Sequence, residues 1–425
     1  MGLLLRALPL LRWPEVACLR DECTYLTLAG RMSAGEGMTV PSELRRWLWA
    51  PGYPALISLH DLFGDPQWVR FTQVLLVVPL LLASFSLLRG LHGRRAGLIA
   101  AWCLALSPTL VFFSGRLWSE TVYVTALLGA LATFRWSLSG RGARALIPGL
   151  LVGCCVLLRG VAAPLVLLLA GLHALITRRA GGAGALLLGA ALSVGPYSAW
   201  ASSTFGGPVL ADRTMGQMMW LGNNTFEPVS FDHGIGPLTP LEWERVVATG
   251  RPHCSGELSP TAWDDCERAQ GWAFIAQDPA RFLRRVPLRL AQWLNPNSFL
   301  TRAIRREEWR GLPPWIAEGL CVTTVLWSLI AVVGGSIGLF SRGRGWFASL
   351  TVAVVLYHAV AIALVAGLSR YRVPLDVLGL LWAGVWLAEL EGSSRTLLGW
   401  RGVALAGTLL VVLPLMWRFL LPGFL

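Results

Sequence analysis

Residues 70–89 read Arg-FTQVLLVVPLLLASFSLL-Arg, an uncharged run bracketed by two arginines. A helix crosses the hydrocarbon core of a bilayer with about 20 predominantly apolar residues, so this run predicts a transmembrane span. The same punctuation recurs along the chain. Ala96–Gly115 lies between Arg95 and Arg116, and Thr121–Gly140 is interrupted only by Arg135. Ala145–Leu158 and Gly160–Thr177 are separated by Arg159 alone, as two short spans with a tight turn or as one broken helix. Ala183–Trp200, Gly319–Ser341, Gly345–Gly367, Val373–Ala388 and Gly402–Trp417 complete the set. The pattern is that of an all-α polytopic membrane protein with about ten spans after residue 70.

Composition agrees. The 425-residue chain is 55% hydrophobic and 14% charged, against about 25% charged in a soluble domain. The net charge of +12 does not indicate nucleic acid, because the basic residues lie mostly in short connections, where they set topology. Every basic residue is arginine, which excludes a Walker A loop and its lysine. The 21 Trp residues suit interfacial belts, with sugar stacking as their other use.

Arginine placement orients the spans. His92-Gly93-Arg94-Arg95, Arg141–Arg144, Arg178-Arg179, Arg342-Gly343-Arg344 and Arg395–Arg401 fall on alternate connections and can all be cytoplasmic. Asp21-Glu22, Glu120, the long polar segment and Ser369–Arg372 then share the outer side. That parity needs one crossing before Asp21. Met1 to Leu11 is too short for it, being a stub, a signal remnant or a truncated first helix, and an upstream start is a further alternative. The domains expected are an N-terminal membrane half (1–200) with an outer loop at about 18–67, a mainly helical periplasmic loop domain (201–317), and C-terminal membrane helices (318–425).

In the long segment, Ser259-Pro260 and Asp278-Pro279 each predict a helix start, with the polar residue as N-cap and proline at the first position. The second helix carries Arg281, Arg284, Arg285 and Arg289 and is expected to lie on the membrane surface or to roof the bundle. Pro287 should kink or shorten it. Cys103, Cys154, Cys155 and Cys321 lie in apolar runs. In an oxidising compartment Cys254 with Cys266, and Cys18 with Cys23, could each close a local disulfide.

Few residues can carry chemistry. Asp21-Glu22 offers a general base with a second carboxylate to orient a metal or an acceptor, although most such pairs are solvated helix starts. Glu120 ends a span beside Trp118, where an acid either anchors at the interface or works. Arg370 and Arg372 flank Tyr371 on the side where arginine is not expected. Two such residues can grip phosphate oxygens or simply snorkel. Arg159 and Arg116 are weaker candidates of the same kind. The six His show no metal-ligand spacing.

Asp21-Glu22-x-x-Tyr25-x-x-Leu28-Ala29, Pro51-Gly52-Tyr53-Pro54 and Leu62-Phe63-Gly64 together resemble the first outer loop of GT-C glycosyltransferases. The resemblance is to the protein O-mannosyltransferase and aminoarabinose transferase group, glycosyltransferase family 39 and its bacterial kin. Gly93–Leu98, Ser107-Pro108 with Ser119-Glu120, Leu221–Asn224, Asp278-Pro279-x-x-Phe282-Leu283 and Arg370–Leu375 are similar to later landmarks, in order. The resemblance implies a GT-C bundle of 10–11 helices in the bacterial inner membrane. It implies transfer of a sugar from a polyprenyl-phosphate donor to a lipid, glycan or protein acceptor at the periplasmic or exterior face, with inversion. Asp21 would be the base, Glu22 its neighbour, and Glu120 would hold the acceptor or, with Asp21, a divalent cation. Arg370, Arg372, Tyr25 and Tyr53 would meet the substrate. The other readings are a transporter or flippase for a polyprenyl-linked glycan, and an inactive relative.

Overall fold

The computed structural model describes residues 1–12, 18, 21–38, 48–62, 64–140, 142–224, 254, 259–296, 299–305, 312–365, 367, 369–390 and 407. Among these, helices dominate, and the only β feature is an isolated antiparallel bridge between Leu48 and Arg213. Among the described residues six helices are long and apolar enough to cross a membrane: Val69–His92, Gly160–Thr177, Ala180–Phe205, Pro314–Arg342, Gly345–Leu364 and Arg370–Glu389. The chain is a multi-pass membrane protein. The expected run at 402–417 lies outside the described residues.

Three other expected spans take instructive forms. Residues 94–114 make one span only as a pair, Arg94–Ala105 and Pro108–Ser114, bent by 58°. Pro108 cannot donate a backbone hydrogen bond, and Ser107, extended at φ −62°, ψ 114°, caps the second helix through Leu110 N at 3.5 Å. Glu120–Ser137 is helical throughout, but Glu120 and Arg135 at its ends lower its apolar character. Leu146–Leu158 and the next helix, Ala163–Thr177, are joined by extended Arg159 (φ −155°, ψ 113°) and a single 3-10 turn. A break in the helix frees the Arg159 side chain to leave the helix surface.

Small residues bring the helices together. A Cβ on Gly149 would lie 2.2 Å from Leu186 O, and one on Gly189 2.3 Å from Leu146 O. The backbones of Leu146–Leu158 and Ala180–Phe205 therefore touch, the close approach that small residues permit between membrane helices. At the other end of the chain, Val373–Glu389 docks on Arg94–Ala105, with Gly384 against Ala100. Trp382 of the same helix stacks on Phe347 at 5.2 Å and donates to Thr351 Oγ1 at 3.0 Å. This docking carries residues 369–372 back to the N-terminal half.

The described part of 201–317 is helical: Met215–Gly222, Pro260–Gln277, Pro279–Leu294 and Phe299–Arg305. Ser259 and Asp278 are the N-caps the sequence predicts, accepting from Ala262 N (3.3 Å) and Arg281 N (2.8 Å). Pro287 does not shorten the helix Pro279–Leu294, which packs on Gly345–Leu364. Its arginines mostly face inward. Arg285 donates to Gly222 O and Asn224 O, and Arg289 to Gly222 O, Asn223 Oδ1 and Ala363 O. Burial lowers the Arg289 pKa to about 10, still well above neutrality. Arg281 and Arg285 sit over the Phe274 ring, while Leu283 and Arg284 are exposed. The basic residues tie loop carbonyls down. Both expected disulfides, Cys18–Cys23 and Cys254–Cys266, are formed.

Gly189→Val should push apart two touching backbones, and overpacking of this kind costs about 1–3 kcal/mol. Gly184→Val, in the same helix with nothing near its Cβ position, should be close to neutral. Thermal unfolding in detergent should show a clear drop for the first and none for the second.

Candidate active site

The site is assembled on the helix Asp21–Ser33, whose first two residues are the acidic pair. This helix packs on Gly52–Leu62. Tyr25 meets Tyr53 edge-on at 5.0 Å and Trp49 at 5.4 Å. Tyr53 is fully buried and donates from Oη to Gln73 Oε1 at 3.1 Å. Gln73 Nε2 in turn donates to Arg116 O at 2.7 Å and Ser114 O at 3.3 Å. Burial, with Glu22 as the next contribution, drives the Tyr53 pKa well up. Burial, reinforced by Asp21, raises that of Tyr25 to about 12. Both phenols therefore stay neutral.

The two acids part company. Glu22 is completely buried and takes a two-pronged hydrogen bond from Arg116: Nε to Oε1 at 2.8 Å and Nη2 to Oε2 at 2.5 Å. Leu117 N also donates to Oε1 at 2.9 Å. This pair clamps the first loop to the turn after the bent span and leaves Arg116 committed to Glu22. Asp21 is partly exposed and pairs through Oδ2 with Nη1 of Arg370, from the far end of the chain.

A second ion pair lies alongside. Arg159 Nη2 pairs with Glu120 Oε1, and its Nε donates to Ser119 Oγ at 3.2 Å. Tyr25 lies within the electrostatic reach of Asp21, Arg159, Arg370 and Glu120. Arg370 stacks over Trp118 at 5.0 Å, and Trp118 meets Phe299 at 4.9 Å. The expected residues Asp21, Tyr25, Glu120, Arg159 and Arg370 are thus one cluster, with Glu22, Arg116 and Tyr53 as the layer behind it.

Arg372 is turned away. It donates to Asp376 Oδ1 (2.7 Å), Leu294 O (2.9 Å), Asn295 O (2.6 Å) and Ser328 Oγ (2.9 Å). Within the 3-10 turn Ser369–Arg372, residues 370 and 372 point to different sides. Arg372 locks two C-terminal helices and the end of Pro279–Leu294, and Arg370 alone serves the cluster.

The cluster also holds polar atoms with no protein partner. Glu120 Oε2, Arg370 Nε, Trp118 Nε1 and Thr121 Oγ1 are all buried and unpaired. A buried polar atom without a partner costs about 1–3 kcal/mol, so each of these is a group that a polar ligand or water could satisfy. Trp118 and Thr121 carry no sequence signal beyond their nearness to Glu120. Asp21 and Glu120 do not by themselves make a set of metal ligands. Each is already engaged by an arginine, and among the described residues no group of three or more His, Cys, Asp or Glu could hold an ion.

No protein-family model and no curated protein matches the chain. In fold it is similar to the Archaeoglobus fulgidus oligosaccharyltransferase tethered with an acceptor peptide containing the NVT sequon. The TM-score is 0.47 and the identity 14%, over 99% of this chain and 53% of that one. It is similar to the Archaeoglobus fulgidus oligosaccharyltransferase AglB in complex with an inhibitory peptide and a dolichol-phosphate, with TM-score 0.43 and 15% identity over 99% and 54% of the two chains. A third likeness is to ArnT from Cupriavidus metallidurans bound to undecaprenyl phosphate, with TM-score 0.44 and 14% identity over 90% and 76%. The chain spans about half the length of the oligosaccharyltransferase. These likenesses concern the outline of the fold.

Glu22→Ala should strand a buried guanidinium and cost about 3–5 kcal/mol, whereas Asp21→Asn, which keeps an acceptor oxygen for Arg370 at a less buried pair, should cost clearly less. Thermal unfolding of the two variants separates the clamp from the site. Equal losses would show that both acids are structural.

Proposed function

We propose that this chain is a membrane glycosyltransferase of the GT-C type. It moves a sugar from a polyprenyl-phosphate carrier to an acceptor at the outer face of the bacterial inner membrane, with inversion. One observation carries the reading: a carboxylate and a guanidinium from opposite ends of the chain meet, partly exposed, where a membrane-spanning helix begins. A donor whose tail lies in lipid presents its phosphate at that level and no deeper. The bracketing sequence landmarks, in the same order as in that family, support the reading.

The chemistry needs little more. Asp21 takes the proton of the acceptor's hydroxyl or amine, the freed lone pair attacks the anomeric carbon, and the carbon–oxygen bond to phosphate breaks. Its electrons pass to the phosphate oxygen, whose charge Arg370 offsets in a water-poor site. Phosphate is already a good leaving group, so no strong acid is required. A single displacement by a base-activated acceptor inverts the anomeric centre. Glu120, held by Arg159, presents its free oxygen to a hydroxyl of the sugar or acceptor, and Trp118 backs the guanidinium of Arg370.

The Asp21–Arg370 pair adds a dependency. Arg370 cannot fully serve Asp21 and a phosphate at once. Donor phosphate competes with the carboxylate for the guanidinium, and Asp21 becomes free as a base only when donor is bound. Water alone then meets a neutralised carboxylate.

Purified protein supplied with a panel of polyprenyl-phosphate sugars and a membrane-lipid acceptor mixture should transfer one of them. Asp21→Asn should lower kcat by about a hundredfold or more, the contribution of a general base. Transfer undiminished in Asp21→Asn contradicts the assignment of the base. Lipid-linked glycan crossing the bilayer without transfer contradicts the enzyme reading.

A further inference from the structure

The turn that aims Arg159 is held from outside the cluster. Arg159 leaves the helix Leu146–Leu158 in an extended conformation, and Gly160 opens the next helical segment. The first backbone donors of a helical segment have no partner within it. Here Gly160 N donates to Asp212 Oδ2 at 3.1 Å, a cap supplied from 52 positions away. The fit is tight: a Cβ on Gly160 would lie 2.7 Å from that oxygen and 2.8 Å from the other. Glycine is required for the carboxylate to come this close.

The next residue ties in two more segments. Arg213 N donates to Leu48 O at 2.8 Å, at the bridge where the first loop returns towards Trp49 and Tyr25. Its Nη2 donates to Asp265 Oδ1 at 2.8 Å and Thr261 O at 3.1 Å. Asp264 beside it accepts from Gly216 N at 2.6 Å. Asp212-Arg213 is therefore a joint. One side fixes the turn bearing Arg159, and the other ties down Leu48, next to the Trp49 that packs on Tyr25, and the helix Pro260–Gln277.

We propose that Asp212 is a positioning residue: through its cap on Gly160 it sets Arg159, and through Arg159 the orientation of Glu120 towards substrate. The mechanism above gives Asp212 no contact with substrate, and the proposal rests on that reading of the site. The joint is also sensitive to protonation. Asp212 is half-buried, and its desolvation raises its pKa to about 6. The Gly160 N–H opposes that rise and nearby Asp264 adds to it. Tyr197, from the helix Ala180–Phe205, also faces it, with Arg213 adjacent in the chain. A folded pKa above the unfolded value means that the ionised form costs stability. That cost is fully present above about pH 6 and fades as pH falls towards the unfolded value of the carboxyl. The cap itself weakens over the same interval, because a protonated carboxyl is a poorer acceptor than a carboxylate. Stability and function should thus move in opposite directions with pH, which a purely structural side chain would not produce.

The test uses the full-length protein in detergent or nanodiscs and three forms: wild type, Asp212→Asn and Asp212→Ala. Asparagine keeps an acceptor oxygen without the titration. Transfer from the polyprenyl-phosphate sugar should be retained in Asp212→Asn within about threefold and should fall about tenfold or more in Asp212→Ala, since misplacing a group by an ångström has that effect. The wild-type rate should begin to fall below about pH 6, and in Asp212→Asn the onset of that fall should move to lower pH, leaving only the limb that the base Asp21 itself imposes. Hydrogen exchange at the Gly160 amide should be about tenfold faster in Asp212→Ala and near wild type in Asp212→Asn. Full activity and unchanged exchange in Asp212→Ala, or an acid limb with the same onset in Asp212→Asn as in wild type, overturns the proposal. Should Asp212→Ala fail to fold, the pH profile of Asp212→Asn decides. Should wild type transfer no sugar, the glycosyltransferase reading falls, and the exchange measurement by itself decides whether Asp212 holds the turn.

Discussion

The pairing of Asp21 with Arg370 is the constraint around which the rest is arranged. A carboxylate at the edge of a membrane must find a counter-charge or give up its ionisation. The counter-charge comes from the turn Ser369–Arg372, and it reaches Asp21 only because the following helix, Val373–Glu389, docks in the N-terminal half. The small-residue contact of Gly384 with Ala100 and the Trp382–Phe347 stack hold that docking. Arg372 fixes the turn by spending its whole guanidinium on Asp376, Ser328 and two carbonyls. One arginine of the pair is structural so that the other can be placed.

Beneath this layer a second set of ionic contacts does the opposite job. The Glu22–Arg116 clamp is buried and closed, with a backbone N–H completing the carboxylate. Losing one partner there is costly because the other charge cannot be solvated. The Arg159–Glu120 pair lies between the extremes, with one carboxylate oxygen engaged and the other unpaired. The gradient from a closed pair to an open one, over a few residues, distinguishes scaffold from site better than acidity alone does.

Much of the architecture is legible in the chain because apolar runs between arginines leave few alternatives in a bilayer. The N-caps at Ser259 and Asp278 follow from local chemistry, the break at Arg159 is one of the two forms its lone charge allows, arginine parity puts Asp21, Glu120 and Arg370 on one side, and the cysteine spacings allow both disulfides without requiring them. What was not legible depends on partners distant in sequence. Asp21 and Glu22 look equivalent until Arg116 and Arg370 select between them. The arginines of Pro279–Leu294 form a basic stripe in sequence, yet Gly222, Asn223 and Asn224 turn most of them inward. Trp118 and Thr121 look like ordinary interfacial residues, and Asp212 looks like a loop acid. The Arg370–Trp118 stack and the Asp212 cap on Gly160 join residues that no spacing links.

The central claim is that Arg370 is shared between Asp21 and a lipid-borne phosphate. The affinity of the protein for polyprenyl phosphate alone, without sugar, tests it most directly. If the carboxylate competes for the guanidinium, Asp21→Asn should bind polyprenyl phosphate more tightly than wild type by about fivefold or more, the effect of about 1 kcal/mol, and Arg370→Gln should bind it more weakly. Equal or weaker binding by Asp21→Asn would contradict the account.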